Sequence, residues 1–464
     1  MHIISDKEYE EIQKAVTSLK DAPKKAKKFW HNLGPGLTTG ASDDDPSGIA
    51  TYSQTGAATG FRFTWLALFT FPLMAIVQEM CARIGIVTGQ GLAANIRQHY
   101  SKTILYTCTI LLLGANIFNI GADLGAMAEA VKLLLPISST GALVVMFGVL
   151  SLLLQVFTSY EKYARYLKYL ALILLAYVCA VFFVYVDWSL VWKNLFIPSM
   201  EFTKEHIILV CAILGTTISP YLFFWQTSQE VEDKILHKEK IVTENVVLEG
   251  GVKVSIEKDE SVSVKIDMVD PHVPEEIKNM RVDVWVGMFV SNIVMFFIIV
   301  LCGAALHTQG ITNITTAADA AQALRPFAGD FAYALFAFGI IGTGLLAIPV
   351  LAGSAAYAVS ESFGWRFGLY RKLKEAYAFY GVIAFATIVG ILLNFIGLDP
   401  IQALIYSAVA NGVVSPIILI LIVQMASRND IMGEYKNSTF SNLFGWITVG
   451  LMTASVVGVA LSIL

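Results

Sequence analysis

The sequence predicts an all-α polytopic membrane protein, and three observations carry that expectation. Of 464 residues, 56% are hydrophobic and 15% charged, and the mean hydropathy is +0.65, a balance that water-soluble domains seldom show. Apolar stretches long enough to cross a bilayer recur along the chain. Lys and Arg gather in alternate connections between those stretches.

Residues 1–28 form a polar tail without an apolar segment, so no secretory signal is expected there. Spans are predicted at about 30–60, 62–88, 103–134, 139–158, 162–187, 204–228, 281–307, 328–360, 374–397, 400–426 and 441–464. That makes eleven transmembrane helices. The tail carries Lys24, Lys25, Lys27 and Lys28, the second connection Arg97 and Lys102, the fourth Lys162, Arg165 and Lys168, and the eighth Arg366, Arg371, Lys372 and Lys374. Connections 135–138 and 396–399 carry none. The positive-inside rule then expects a cytoplasmic N-terminus and, after an odd number of spans, an extracytoplasmic C-terminus. A cell inner membrane is the expected location.

The polar insert 229–280 falls on the cytoplasmic side of this scheme. Within it, 251–268 alternates apolar and polar residues at period two around a polar turn, which predicts a small β-hairpin. The five cysteines, Cys81, Cys108, Cys179, Cys211 and Cys302, all lie in apolar stretches and read as small core residues rather than a disulfide framework.

The most informative stretch is 39–49, Thr-Gly-Ala-Ser-Asp-Asp-Asp-Pro-Ser-Gly-Ile, inside the first span. A carboxylate at bilayer depth costs at least about 2.5 kcal/mol on insertion scales and needs a partner, a cation or water. Pro46 lacks an N–H and Gly48 is permissive, so the helix is expected to break there and free backbone groups. The sixth span is interrupted in the same way by Gly215, Thr216, Thr217, Ser219 and Pro220. The two interruptions open two five-helix blocks, 1–5 (29–187) and 6–10, with the eleventh helix outside them. Five is odd, so the blocks must run with opposite membrane orientation. Paired inverted repeats with broken first helices are a secondary-transporter pattern, with ions held at half-helix ends.

At these residues the chain resembles the Nramp divalent-metal transporters. The resemblance rests on Gly34-Pro35-Gly36-Leu37, Asp45-Pro46 and Ser219-Pro220-Tyr221, and it implies a LeuT-type 5+5+1 fold. The family's Asp-Pro-Gly-Asn stands here as Asp45-Pro46-Ser47-Gly48, and its Met-Pro-His as Ser219-Pro220-Tyr221. Carried over by position, the resemblance implies metal ligation by Asp45, by the carbonyls of Ser42 and Thr216, and at the positions now held by Gly48 and Ser219. Asp43 and Asp44 are extra carboxylates suited to hydrated ions, and Asn411 lies where the family places polar groups facing the site. Loss of the thioether removes a preference for soft metals, and Gly and Ser are expected to leave room for a partly hydrated ion. Magnesium keeps several of its waters, so the sequence resembles the Nramp-related magnesium branch most closely, with Mg²⁺ and then Mn²⁺ as expected substrates.

The histidines of proton-coupled relatives are replaced by Tyr221 and Gln226, neither of which titrates near neutral pH. The third span reads Asn116 to Asp123, with amides where acids are expected and only Asp123 remaining acidic; Asp123 is either functional or a structural partner to another helix. Proton-independent uptake is therefore expected. The alternatives are a proton-coupled Mn²⁺/Fe²⁺ carrier, a sodium-coupled amino-acid carrier of the same fold, and a metal-sensing receptor. No phosphate-cradling loop, nucleophile elbow or zinc-protease spacing is present, so no enzyme is expected. Nor is a cofactor or a nucleic-acid partner, and the partners expected are the metal ion and the lipid bilayer around a monomer.

Overall fold

A computed structural model describes residues 34–135, 139–158, 174–248 and 273–463. Every regular element among them is helical. The hairpin expected at 251–268 lies outside the described residues.

The first span is broken as the proline and acidic cluster require. Helix α1 runs Pro35–Asp43 and α2 runs Pro46–Thr59. Asp44 closes α1 and Asp45 opens α2 as its N-cap, with Pro46 at the first helical position, where a missing N–H does no harm. No residue separates the two caps, so the chain changes direction within one peptide unit.

Helix α3 (Trp65–Thr88), the short α4 (Leu92–His99), α5 (Lys102–Leu134), α6 (Thr140–Phe157) and a described piece of the fifth span, α7 (Leu175–Val181), follow. Helix α8 (Trp188–Phe196) leads to the second break, between α9 (Lys204–Thr217) and α10 (Pro220–Leu248). Helix α10 continues well past 228, where the insert was expected to begin, and α11 already starts at Val273 (Val273–Ala305). Hydropathy marks where the bilayer ends, not where the helix does. The run from Gln229 onward is rich in Glu and Lys, which are good helix formers in water.

Helices α12 (Ala317–Gln322) and α13 (Arg325–Ala328) lie in the connection after α11, followed by α14 (Ala332–Phe363), α15 (Tyr377–Leu393), α16 (Pro400–Ser427), a single turn α17 (Asn429–Met432), and α18 (Thr439–Ile463). Among the described residues, eight helical stretches are long and apolar enough to cross a membrane, and α15 is a shorter apolar helix.

The two broken helices cross at their gaps. α1 packs on α10 and α2 on α9, so each half meets the opposite half of its counterpart. α11 runs along both α1 and α2, whereas α5 is enclosed by α14 and α16. Close approach is set by glycine: a Cβ on Gly36 or Gly40 would run into the α11 backbone at Val284 and Gly287, and one on Gly215 into Ala408 and Gly412 of α16.

Beyond α2, the segment between α11 and α12 folds over the bundle as a lid. Gln54 of α2 reads its backbone twice, donating from Nε2 to the Thr312 carbonyl (3.2 Å) and accepting from the Ile314 N–H at Oε1 (2.7 Å). Beneath the lid a small apolar cavity is lined by Ile314 and Ala317 together with Ala50, Ala126, Phe336 and Leu404.

Candidate metal site at the two helix breaks

The first break and the neighbouring α5 place four carboxylates in the interior: Asp43 (0% exposed), Asp44 (3%) and Asp45 (1%) at the break, and Asp123 (0%) on α5. Among the described residues none of them forms an ion pair with Lys or Arg. Uncompensated carboxylates in a low-dielectric interior are among the least tolerable groups a protein can bury. The arrangement calls for neutralisation, by protons or by a bound cation.

Asp45 combines two roles. Its Oδ1 accepts from the Gly48 N–H (2.7 Å) and the Ser47 hydroxyl (2.7 Å), which caps α2, and its Oδ2 accepts from Asn119 Nδ2 of α5 (2.9 Å). Asn119 also approaches Asp123 one turn further along α5 (3.5 Å). Asn119 Oδ1 and Asp123 Oδ1 are buried without a hydrogen-bond partner.

Asp43 and Asp44 turn the other way. The single hydroxyl of Ser291 on α11 lies 2.7 Å from Asp43 Oδ2 and 3.2 Å from Asp44 Oδ1. Asp43 Oδ1 has no partner, nor has the fully buried Tyr52 hydroxyl of α2.

The two carbonyls expected as ligands both accept hydrogen bonds. Ser42 O accepts from the Tyr221 hydroxyl of α10 (3.0 Å), and Thr216 O accepts from Ser219 Oγ (2.7 Å), which also reaches Gly215 O (2.8 Å). Ser219 therefore turns back onto its own broken helix. The room expected beside Gly48 is taken up: Thr216 Oγ1, the Asp43 carbonyl and the Tyr52 ring edge lie 3.2, 3.3 and 3.4 Å from where its Cβ would stand. Gly48 thus acts by letting α9 and α2 close on each other rather than by opening a cavity.

Asn411 is fully buried on α16, and neither its Nδ2 nor its Oδ1 finds a partner. Its neighbours Gly412 and Ser415 both face the end of α9, Ser415 Oγ donating to Ile218 O (2.7 Å). No hydrogen bond among the described residues joins Asn411 to the aspartates. Gln226, at one of the positions where a histidine was missed, bridges the half-helices by accepting from Thr39 of α1 and donating to Glu230 (2.8 Å).

Sequence reading missed Ser291 and Tyr52 and gave Asn119 and Tyr221 no contact with the ligand set. Tyr221 and Asn119 were visible as departures from the family pattern. Ser291 is one hydroxyl in a long apolar helix and carries no local signal.

Among the described residues no three His, Cys, Asp or Glu side chains converge to hold a metal by themselves. An ion placed here would find one or two carboxylates together with hydroxyl, amide and carbonyl oxygens, the donor set of hard cations.

Broken, crossing half-helices around buried acids, inside a bundle of apolar spans, define a multi-pass membrane transporter of the LeuT type. The family model described as natural resistance-associated macrophage protein-like matches residues 36–462, and the chain belongs to this Nramp family of divalent-metal transporters, which are not enzymes. It is 25% identical over 429 residues to the divalent metal cation transporter MntH of Klebsiella pneumoniae (strain 342), covering 91% of this chain and 92% of that protein. The crystal structure of the Eremococcus coleocola manganese transporter, in complex with an aromatic bis-isothiourea substituted compound, shares the fold. It has a TM-score of 0.72 at 18% identity, over 94% of this chain and 87% of that one. Mhp1 in its inward-facing conformation is a more distant neighbour, with a TM-score of 0.50 at 14% identity over 93% and 90% of the two chains.

Proposed function

We propose that the protein takes up Mg²⁺, with Mn²⁺ as second substrate, binding a partly hydrated ion between the breaks at Asp45 and Ser219 without coupling to protons. The observation that carries the cation reading is the set of four buried carboxylates with no basic partner among the described residues. The preference for magnesium is supported by Ser219, an oxygen donor where the family motif has a thioether, because hard ions favour oxygen. Manganese is assigned by likeness to the relatives, one of them a manganese transporter.

Proton independence is supported by Tyr221 and Gln226 at the histidine positions and by their engagement with Ser42, Thr39 and Glu230. Uptake is then driven by the inside-negative potential, which favours entry by roughly 2.3 kcal/mol per charge and 100 mV, or roughly 4.6 for a dication. We place the protein in the cell inner membrane as a monomer, with its N-terminus cytoplasmic and its C-terminus outside.

Reconstituted into proteoliposomes, the intact protein is expected to admit Mg²⁺ and Mn²⁺ but little Ca²⁺, and Asp45→Ala to admit none of them. Good Fe²⁺ flux with no Mg²⁺ flux overturns the magnesium assignment. Lumen acidification in step with Mg²⁺ entry, with no imposed pH gradient, overturns proton independence.

A further inference from the structure

The aspartate triplet is split between two sides of the bundle. Asp45 faces α5, where Asn119 and Asp123 stand, whereas Asp43 and Asp44 face Ser291 on α11. Helices α5 and α11 share no appreciable interface and flank the broken helix separately.

On the α11 side the hydrogen bonds do not balance the oxygens. Ser291 has one proton and two carboxylate acceptors, so one of the two carboxylates is always left facing the oxygen of the hydroxyl rather than its hydrogen. Asp43 Oδ1 has no donor at all. The carbonyl end of α1 terminates here too, with Asp44 as its C-cap, adding the negative pole of a helix dipole. Close to the three aspartates and to Thr216 of α9, the Tyr52 hydroxyl is fully buried and makes no hydrogen bond. Two acids, a hydroxyl already between them, and a second hydroxyl without a partner are oxygen donors for one hard dication.

We propose that Asp43, Asp44 and Ser291, with Tyr52 beside them, hold a divalent cation at a second position, distinct from the one at Asp45. The inference rests on the transport reading above. With all four carboxylates ionised, two dications match their charge. With both positions filled, the ions repel across the break, so arrival of the second loosens the first, the arrangement by which multi-ion pores release tightly held ions.

The test is the number of Mn²⁺ ions bound per chain, measured on the full-length protein in nanodiscs by equilibrium dialysis with metal analysis, together with electron paramagnetic resonance of the bound Mn²⁺. The intact protein is expected to bind two, with spectra broadened by coupling between neighbouring manganese ions. Asp45→Asn and the pair Asp43→Asn with Asp44→Asn are each expected to keep one ion and lose the broadening. Ser291→Ala is expected to weaken one of the two by about tenfold. One Mn²⁺ per intact chain, whatever the variants do, overturns the second position and leaves the transport reading standing. No bound Mn²⁺, with no Mn²⁺ or Mg²⁺ flux, overturns both. The stoichiometry of the intact protein decides, so misfolding of a variant does not leave the matter open.

Discussion

The carboxylate of Asp283 on α11 accepts the backbone N–H of Gly36, at the first turn of α1, over 2.6 Å. Asp283, Gly287 and Ser291 lie four residues apart on one face of α11 and meet α1 at its start, its middle and its end. A carboxylate at a helix N-terminus is held by free amides and by the positive pole of the dipole. Helix α1 is therefore fastened to α11 along its length, through a charge at one end and the aspartates at the other. Asp283→Asn keeps the shape and removes the charge, and is expected to weaken this fastening by about 1–2 kcal/mol. Hydrogen exchange of the amides of 36–43 is the measurement, and unchanged protection contradicts the assignment.

Tyr221→Phe removes the donor to Ser42 O. Without a metal the buried carbonyl loses its partner, at about 1–3 kcal/mol, whereas a bound ion supplies one. Melting temperatures are thus expected to fall in chelator and to recover with Mg²⁺, so that the Mg²⁺-induced increase is larger than in the intact protein. Equal losses with and without Mg²⁺ indicate a purely structural tyrosine.

Ser219→Met places a thioether at the second break and takes away the hydroxyl that occupies Gly215 O and Thr216 O. Softer ions gain a ligand they prefer. Proteoliposome flux is expected to shift toward Cd²⁺ by at least about tenfold relative to Mg²⁺. A variant that carries both ions in the original ratio places Ser219 outside the ligand set.

Gly215→Ala sets a methyl group against the backbone of Ala408 and Gly412, neither of which can turn aside. Overpacking of this kind costs about 1–3 kcal/mol or more, and the melting temperature is expected to fall. Gly114→Ala in the middle of α5, with nothing within 4 Å of the added atom, is the control. It is expected to be neutral or stabilising by up to about 1 kcal/mol.

The lid carries a capping box in which Thr316 and Asp319 bind each other's backbone N–H groups. Partial burial works against the Asp319 charge, but hydrogen bonds from Thr316 and Thr315 outweigh it and hold the carboxyl below the usual carboxylate range. A carboxyl so lowered contributes stability above its unfolded value, about 3.9, and loses it as pH falls through the folded value. Amide exchange over 315–320, corrected for intrinsic rates, is expected to accelerate below about pH 4 and to be fast at neutral pH in Asp319→Asn.

Both breaks were legible because Pro46 and Pro220 interrupt apolar runs beside polar residues, and proline removes the same hydrogen bond wherever it stands. The expectation of two five-helix blocks came from counting apolar stretches between them. Which groups meet across the breaks was not legible. Ser291 and Asn119 are single polar residues on separate helices, and only packing brings them to Asp43 and Asp45, whereas Tyr52 stands one turn beyond Gly48 on α2 itself. The carbonyls of Ser42 and Thr216 were expected to be free because half-helix ends leave acceptors unmatched, yet nearby hydroxyls from Tyr221 and Ser219 reach both. That α10 runs on past 228 was not legible from hydropathy, because the Glu and Lys that follow end the apolar run without ending the helix.

The grip of Gln54 on the lid reaches only main-chain atoms of Thr312 and Ile314. Recognition through peptide groups is indifferent to the side chains they carry. The lid's outward-facing residues are thereby released to vary without altering this contact. Gln54 has no such latitude, since a change to Glu or Leu deletes a donor, an acceptor or both. Saturation mutagenesis is expected to register that imbalance as a tolerant segment lying over an intolerant glutamine.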